Sequence, residues 1–253
     1  MNILFTGCST GFGAHIREKL LEQGHRVFGV GVNGPDLEVN YLDYSFDRLD
    51  NMAAGVLNQA EKHFQGTVHV LINNAGITHI EFQPRHSTND FAKVMHVNLF
   101  AAYALSRRFI HHAEENVELG IPDTWLPFYR MIHTSSMGAR QALRASPGYC
   151  ASKAGIEAMS RTFARELAGK LPITSVAVAP GGVDGTEMMK QVVRSLMETR
   201  GMSEQEAIAY SRPSPLGRNC TYEELWQVYN FAVNSCPEYM SGTVLQMSGA
   251  LGI

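Results

Sequence analysis

The sequence predicts an α/β fold: a single domain built on a doubly wound (Rossmann-type), mostly parallel sheet with helices on both faces. Three observations carry that expectation. Short apolar runs suited to buried strands, such as NILFT at 2–6 and ITSVAVAP at 173–180, alternate with stretches of helical periodicity. A glycine-rich turn, TGCSTGFG at 6–13, joins the first strand to the first helix. No repeat, low-complexity stretch or linker divides the 253 residues, so one domain is expected over 1–253.

After the first strand, Ile16, Leu20 and Leu21 space a helix that Gly24 ends. The turn before it aims a helix N-terminus, with its free N–H groups, at a phosphate. Its spacing is G-x-x-x-G-x-G, not G-x-G-x-x-G, and an ordinary strand-to-helix turn is the competing reading. Residues 26–32 make the second strand. A ribose-binding acid belongs at its end, but the chain reads Gly31-Val32-Asn33-Gly34. Asn33 either bonds a ribose hydroxyl or serves its Asn-Gly turn. A third strand is expected over 38–42, ending at Asp43, then an amphipathic helix over 46–65, closed by Gly66.

VHVLINNAG, 68–76, is a strand running into two amides and two small residues, which lets the backbone pass close to a flat ligand. A long helix is expected from Thr88 to Asn116. Asn98 lies inside it among Val94, Val97, Leu99 and Phe100, and needs a hydrogen bond or a local kink there. Residues 117–127 read as a loop, and FYRMIHTSS, 128–136, as the strand that delivers Ser135 and Ser136. Ser146 suits an N-cap and Pro147 the first position of a helix running to Ala168. Strand 173–180 leads into Pro180-Gly181-Gly182-Val183. Residues 186–216 carry Met188, Met189, Met197 and Met202 on two short helices before Pro213 and Pro215, forming either an adaptable lid or helices packed on the body. Helix 221–234 and strand 243–247 finish the chain.

On the helix from Pro147, Tyr149 and Lys153 stand at i and i+4, on one face. A phenol ordinarily titrates near 10, and an ammonium held against it lowers that value. The pair then suits proton transfer near neutral pH. A core tyrosine beside a solvated lysine is the bland alternative, and the surrounding motifs must decide.

Bulk properties exclude several classes. Net charge is −3 with no basic run, which argues against nucleic acid. No segment is long and apolar enough to span a membrane. The start, MNILFTGCS, lacks the features of a signal peptide, so a cytoplasmic location is expected. Cys8, Cys150, Cys220 and Cys236 form no C-x-x-C pair and read as free thiols. The histidines, including His111-His112, form no H-E-x-x-H, and no metal site is expected.

In their order and spacing these motifs resemble the short-chain dehydrogenase/reductase family, in its compact single-domain branch, over essentially the whole chain. The resemblance rests on TGCSTGFG, Asp43, NNAG at 73–76, Asn98, a serine before Tyr149-x-x-x-Lys153, PGGV at 180–183, and a closing PLGR and GTVLQMSG. It implies an NAD(P)-dependent oxidoreductase moving a hydride between a nicotinamide cofactor and the hydroxyl/carbonyl pair of a small or medium-sized alcohol or ketone. Tyr149 would be the acid/base. Lys153 would depress the Tyr149 pKa and hold the nicotinamide ribose. Ser136 would bond the reacting oxygen, and Asn98 would hold a water in a proton relay. Gly7, Ser9, Thr10, Gly11, Phe12 and Gly13 would line the phosphate and adenosine side. Asp43 would meet the adenine, Asn74 and Gly76 the ribose side, and Val183 the carboxamide, with Pro180 and Gly181 also lining the cofactor. Ser136 has the family's spacing of 13 residues before Tyr149; Ser135 lies one residue farther.

Departures bear on the details. Gly31 replaces the acid of NAD-preferring members, and no cation typical of NADP-preferring members compensates. Either cofactor fits, with a lean to NADP because nothing repels a 2′-phosphate. Asp184-Gly185 precede Thr186, which shifts it by one residue, and MSGA stands where Asp-Gly-Gly is commoner. Arg140 and Arg144 either meet a carboxylate or phosphate or belong to a solvated loop. The family implies a homo-oligomer, a dimer or tetramer. A non-catalytic dinucleotide sensor on the same fold, or a lyase or epimerase, would be the competing classes. Retention of Asn98, Ser136, Tyr149 and Lys153, and the short chain, favour the oxidoreductase.

Overall fold

Every strand pairing among the described residues is parallel. The computed structural model describes residues 1–43, 45–120, 129–212 and 214–251, apart from the side chain of Asp43. β1 (Asn2–Thr6), β2 (Arg26–Gly31), β3 (Leu37–Glu38), β4 (Val70–Asn73), β5 (Tyr129–Thr134), β6 (Ile173–Pro180) and β7 (Val244–Met247) form one sheet. Its order is β3-β2-β1-β4-β5-β6-β7. Helices α1 (Gly11–Glu22), α2 (Phe46–Phe64), α3 (Thr88–Met95), α4 (Ala101–Glu118), α5 (Pro147–Leu167), α6 (Glu187–Arg200), α7 (Glu204–Tyr210) and α8 (Tyr222–Asn234) complete the described elements.

The apolar strands are continuous because both faces are covered. Leu4, Leu71 and Met131 point into a core shared with residues of α2, α4 and α5. Their neighbours Ile3, Phe5, Ile72 and Ile132 point into a second core with α1 and α8. Strand order reverses between β1 and β4, so the crevice that binds ligands in such sheets opens beyond Gly7 and Asn74.

Local differences from the expected elements have physical causes. The third strand is only two residues long. Inward Val39 and Tyr41 still alternate with exposed Glu38, Asn40 and Leu42, but residues 41–43 close into a 3₁₀ turn that stops the ladder. α2 ends in a left-handed residue, but it is Gln65 (φ 53°), one position before Gly66. Ser146 occupies the N-cap position of α5 without a side-chain capping bond. The long helix of 88–116 is interrupted by a π-helical turn at His96–Phe100, with Asn98 at its centre. α4 then continues to Glu118, into the expected loop; residues 121–128 and Pro213 lie outside the described residues.

Candidate active site

The glycine turn and the NNAG segment are built against each other. Gly7 has φ 68°, and a Cβ there would stand 2.6 Å from Ala75 Cα. Any side chain would therefore be both strained and in collision. Asn74 Nδ2 donates to the Gly7 carbonyl (2.8 Å), while Thr6 Oγ1 accepts from the N–H groups of Asn74 (3.0 Å) and Ala75 (3.1 Å). A Cβ on Gly13 would overlap the Gly7 carbonyl and lie 2.9 Å from Asn74 Nδ2, so α1 starts hard against the turn. Thr10 is the N-cap of α1 but makes no side-chain capping bond. The first N–H groups of α1, from Gly11, Phe12 and Gly13, are thus left for an outside acceptor. This uncapped, glycine-lined start fits a dinucleotide pyrophosphate.

The adenosine end is less furnished. Ser9 Oγ would lie 3.5 Å from a Cβ on Gly31. Asn33 is exposed on a turn closed by Gly34 N–H to Gly31 O (3.0 Å), the arrangement of its Asn-Gly turn reading. The first acid after β2, Asp36, is already engaged. It accepts from Gly29 N–H (2.7 Å) and pairs with Arg17 (3.5 Å). The Asp43 side chain, expected at the adenine, lies outside the described residues.

Tyr149, Lys153, Ser136, Asn98 and Gly76 converge at the C-terminal edge of the sheet. Tyr149 packs on Gly138, where a Cβ would come within 3.3 Å of the ring. Burial raises its phenol above the usual value, and a hydrogen bond with Ser136 opposes that shift. Ser136 also accepts from Gly138 N–H (3.1 Å), which fixes its hydroxyl at the turn. Ser135 faces away: its hydroxyl donates to Glu157 Oε1 (3.0 Å). Lys153 is buried, and its Nζ donates to the Thr134 carbonyl (2.7 Å) while standing 5.8 Å from the Tyr149 ring centre. Burial pulls its pKa down to about 8. In this geometry burial, and not Lys153, sets the direction of the Tyr149 shift, which is upward where a lowering was expected.

Asn98 needs both of the explanations its position raised. Its Nδ2 donates to the Ile77 carbonyl (2.9 Å) and to Ser152 Oγ (3.0 Å), and its Oδ1 accepts from Ile77 N–H (2.8 Å). The π turn brings it there. The amide is thus engaged in tying the segment after NNAG to α5. A Cβ on Gly76 would lie 3.4 Å from both Asn98 Oδ1 and Lys153 Nζ, so the absent side chain leaves open the space between them.

Sequence reasoning missed Glu157. It is buried, one turn beyond Lys153, and takes Ser135, Arg140 Nε (3.1 Å) and Arg161 (3.5 Å). The i, i+4 spacing that selected Tyr149 and Lys153 continues to it. Arg140 is accordingly held back against α5, and Arg144 lies over the Phe82 ring (5.8 Å). After β6, Gly182 O accepts from Cys220 N–H (2.8 Å), and Asp184 takes Asn219 Nδ2 (2.8 Å) and Arg212 (3.2 Å). Those contacts brace Pro180, Gly181 and Val183 at the mouth of the crevice. Thr186 caps α6, accepting from Met189 N–H (3.2 Å) and donating to Val183 O (3.1 Å).

Comparison with known proteins agrees with this geometry. The family model described as short chain dehydrogenase matches residues 1–196. The chain belongs to the short-chain dehydrogenase family. The 3-oxoacyl-(acyl-carrier-protein) reductase MabA of Mycobacterium tuberculosis is 30% identical over 252 residues, covering 100% of this chain and 93% of that protein. The corresponding reductase FabG of Pseudomonas aeruginosa is 29% identical over 265 residues, covering 98% and 96%. Two solved structures share the fold. The 3-ketoacyl-(acyl-carrier-protein) reductase of Brucella melitensis, complexed with NADH, has TM-score 0.80 and 21% identity, covering 99% of this chain and 98% of that one. A variant of the actinorhodin polyketide ketoreductase, with NADPH, has TM-score 0.79 and 21% identity, covering 99% and 96%. This short-chain dehydrogenase is an NAD(P)-dependent oxidoreductase acting on a keto or hydroxyl group. Among the described residues, no helix is long and apolar enough to cross a membrane.

Proposed function

We propose that the enzyme works as a reductase of a 3-oxoacyl thioester or a closely similar β-keto substrate, with NADPH as the preferred donor. The observation that supports it most directly is the hydrogen-bonded Ser136–Tyr149 pair with buried Lys153 behind it. The cofactor supplies the hydride. Ser136 bonds the substrate carbonyl and Tyr149, held protonated by burial, gives its proton to that oxygen. Lys153 holds the nicotinamide ribose. Asn98, its amide engaged, serves by pinning Ile77, and its backbone at the π turn is left to carry the water of the relay. Gly7, Ser9, Thr10, Gly11, Phe12 and Gly13 hold the phosphate and adenosine side, Asp43 the adenine, and Asn74 and Gly76 the ribose side. Val183 holds the carboxamide, with Pro180 and Gly181 also lining the cofactor.

The 3-oxoacyl substrate is carried over from the relatives' names. α6 supports it: none of its residues is buried, and half-covered Met188 and Met189 offer adaptable apolar surface to an acyl chain. The NADP preference draws on Gly31 and on Asp36 being turned back to Gly29 and Arg17. A cytoplasmic homo-oligomer belongs to the same reading. Exposed Tyr103, stacked on Phe163, supplies apolar surface on the α4–α5 side.

The test is Tyr149→Phe, assayed on a panel of 3-oxoacyl thioesters and simple ketones. Turnover should fall by about 10²–10⁴ while cofactor affinity is retained, the usual range for losing a general acid. A fully active variant overturns the role of Tyr149. Wild-type turnover confined to simple ketones overturns the substrate class, and tighter NADH than NADPH binding overturns the cofactor preference.

A further inference from the structure

Tyr222 belongs to none of the family's motifs found in this sequence, yet its hydroxyl reaches the phosphate end of the crevice. It is the first residue of α8, capped by Thr221, and its side chain runs back toward α1. A Cβ built on Gly11 would lie 3.9 Å from the Tyr222 hydroxyl, and one on Gly185 would lie 3.4 Å from it. Both glycines have left-handed backbones, φ 57° and 82°. The hydroxyl thus stands between the glycine turn and the PGGVDG loop, the two segments that flank a bound dinucleotide. Thr186 lies at the same place, its methyl 3.9 Å from the Gly11 Cβ position.

The phenol is half-buried, and its ring rests against His15, 5.7 Å between ring centres. Among the described residues its hydroxyl makes no hydrogen bond. A held ring with an open donor is suited to an outside acceptor. The chemistry at hand favours an anion. The uncapped start of α1 and the starts of α6 and α8 meet here, and the nearby Lys190 ammonium, paired with Glu187 (3.3 Å), offsets part of the burial that raises the phenol.

We propose that Tyr222 is a cofactor-binding residue whose phenol donates a hydrogen bond to the pyrophosphate of the bound dinucleotide. The proposal rests on the dinucleotide binding of the family and not on the choice of substrate. Tyr222 closes the diphosphate from the α8 side, opposite the backbone N–H groups of the glycine turn.

The test is the dissociation constant of Tyr222→Phe for NADPH, read by cofactor fluorescence, and for ADP, read by competition. Tyr222→Phe keeps the ring on His15 and removes only the hydroxyl. Affinity for both should fall about tenfold, the scale of a hydrogen bond to a charged group, with the melting temperature of the free protein unchanged. Tyr222→Leu, which also removes the ring, should lose no less. Wild-type affinity in Tyr222→Phe overturns the proposal. So does a loss accompanied by a lowered melting temperature of the free protein, which assigns the hydroxyl to packing. Neither outcome touches Tyr149, whose own variant tests the catalytic reading separately.

Discussion

Replacing Glu157 should loosen the loop that borders Tyr149 without touching the cofactor. Its carboxylate is buried and holds three partners that differ in what they lose. Ser135 is 1% exposed, and without Glu157 its hydroxyl keeps only the long bond to the Lys153 carbonyl (3.4 Å), with no route to water. An unsatisfied buried donor costs about 1–3 kcal/mol. Arg140 and Arg161 have side chains 37% and 52% exposed and rehydrate, so each lost pairing counts for about 0–1 kcal/mol. Glu157→Leu should therefore cost about 3 kcal/mol, or roughly 6–12 °C in melting temperature for a chain of this size. Released from α5, Arg140 should let the loop after Ser136 move, raising KM for the keto substrate while the cofactor dissociation constant stays put. The assays are thermal melting, steady-state kinetics and cofactor titration. Adding Ser135→Ala to Glu157→Leu removes the stranded hydroxyl and should recover about 1–3 kcal/mol. A Glu157→Leu protein that melts like wild type, or a double variant with no recovery, refutes the reasoning.

Gly13→Ala should be worse for cofactor than for folding. Its Cβ meets the Gly7 backbone carbonyl, which cannot move without the turn, so stability should fall by about 1–3 kcal/mol. NADPH affinity should fall at least about tenfold by titration, and unchanged affinity would show that the turn yields freely. His133 makes the fold acid-sensitive. It is fully buried, and burial lowers its pKa to about 3 from an unfolded value near 6.5. Its folded pKa is depressed, so the unfolded chain takes up the proton first. Stability is intact above about pH 6.5 and falls as pH drops toward 3. At pH 4.5, two pH units below the unfolded value, the loss is about 2–3 kcal/mol. His133→Leu, which leaves Asn73 bonded to Ser106, should remove that share from urea midpoints measured at pH 7 and 4.5. An identical acid loss in both proteins contradicts the assignment.

Most of the fold was legible because its signals are local and repeated. Apolar runs buried on both faces, a glycine turn opening a helix, and small residues after β4 each constrain the backbone wherever they stand. The convergence of Asn98, Gly76 and Lys153 was less legible. It depends on a π turn, and the sequence marks that turn only by an amide misplaced among apolar residues. Tyr222 was not legible at all. A tyrosine at the start of a late helix carries no pattern, and its place beside Gly11 exists only once α1, α6 and α8 are packed. The edge strand failed for the opposite reason. EVNYL has good strand formers and keeps a strand's alternation, with Val39 and Tyr41 inward, but the 3₁₀ turn at residues 41–43 ends the ladder after two residues.

The Tyr149–Lys153 pair shows where spacing stops and environment takes over. Spacing i, i+4 puts both on one face, and from that an ammonium lowering a phenol's pKa follows only if the two groups meet. Here the Lys153 ammonium is spent on the Thr134 carbonyl, and burial acts on each group separately. It drives Lys153 down to about 8 and Tyr149 up, favouring the neutral form of both. Each pH unit of that shift is worth about 1.4 kcal/mol. A phenol kept protonated is a ready donor, whereas a phenolate base must be formed against its burial. That environment suits the role proposed for Tyr149, giving a proton to a carbonyl oxygen.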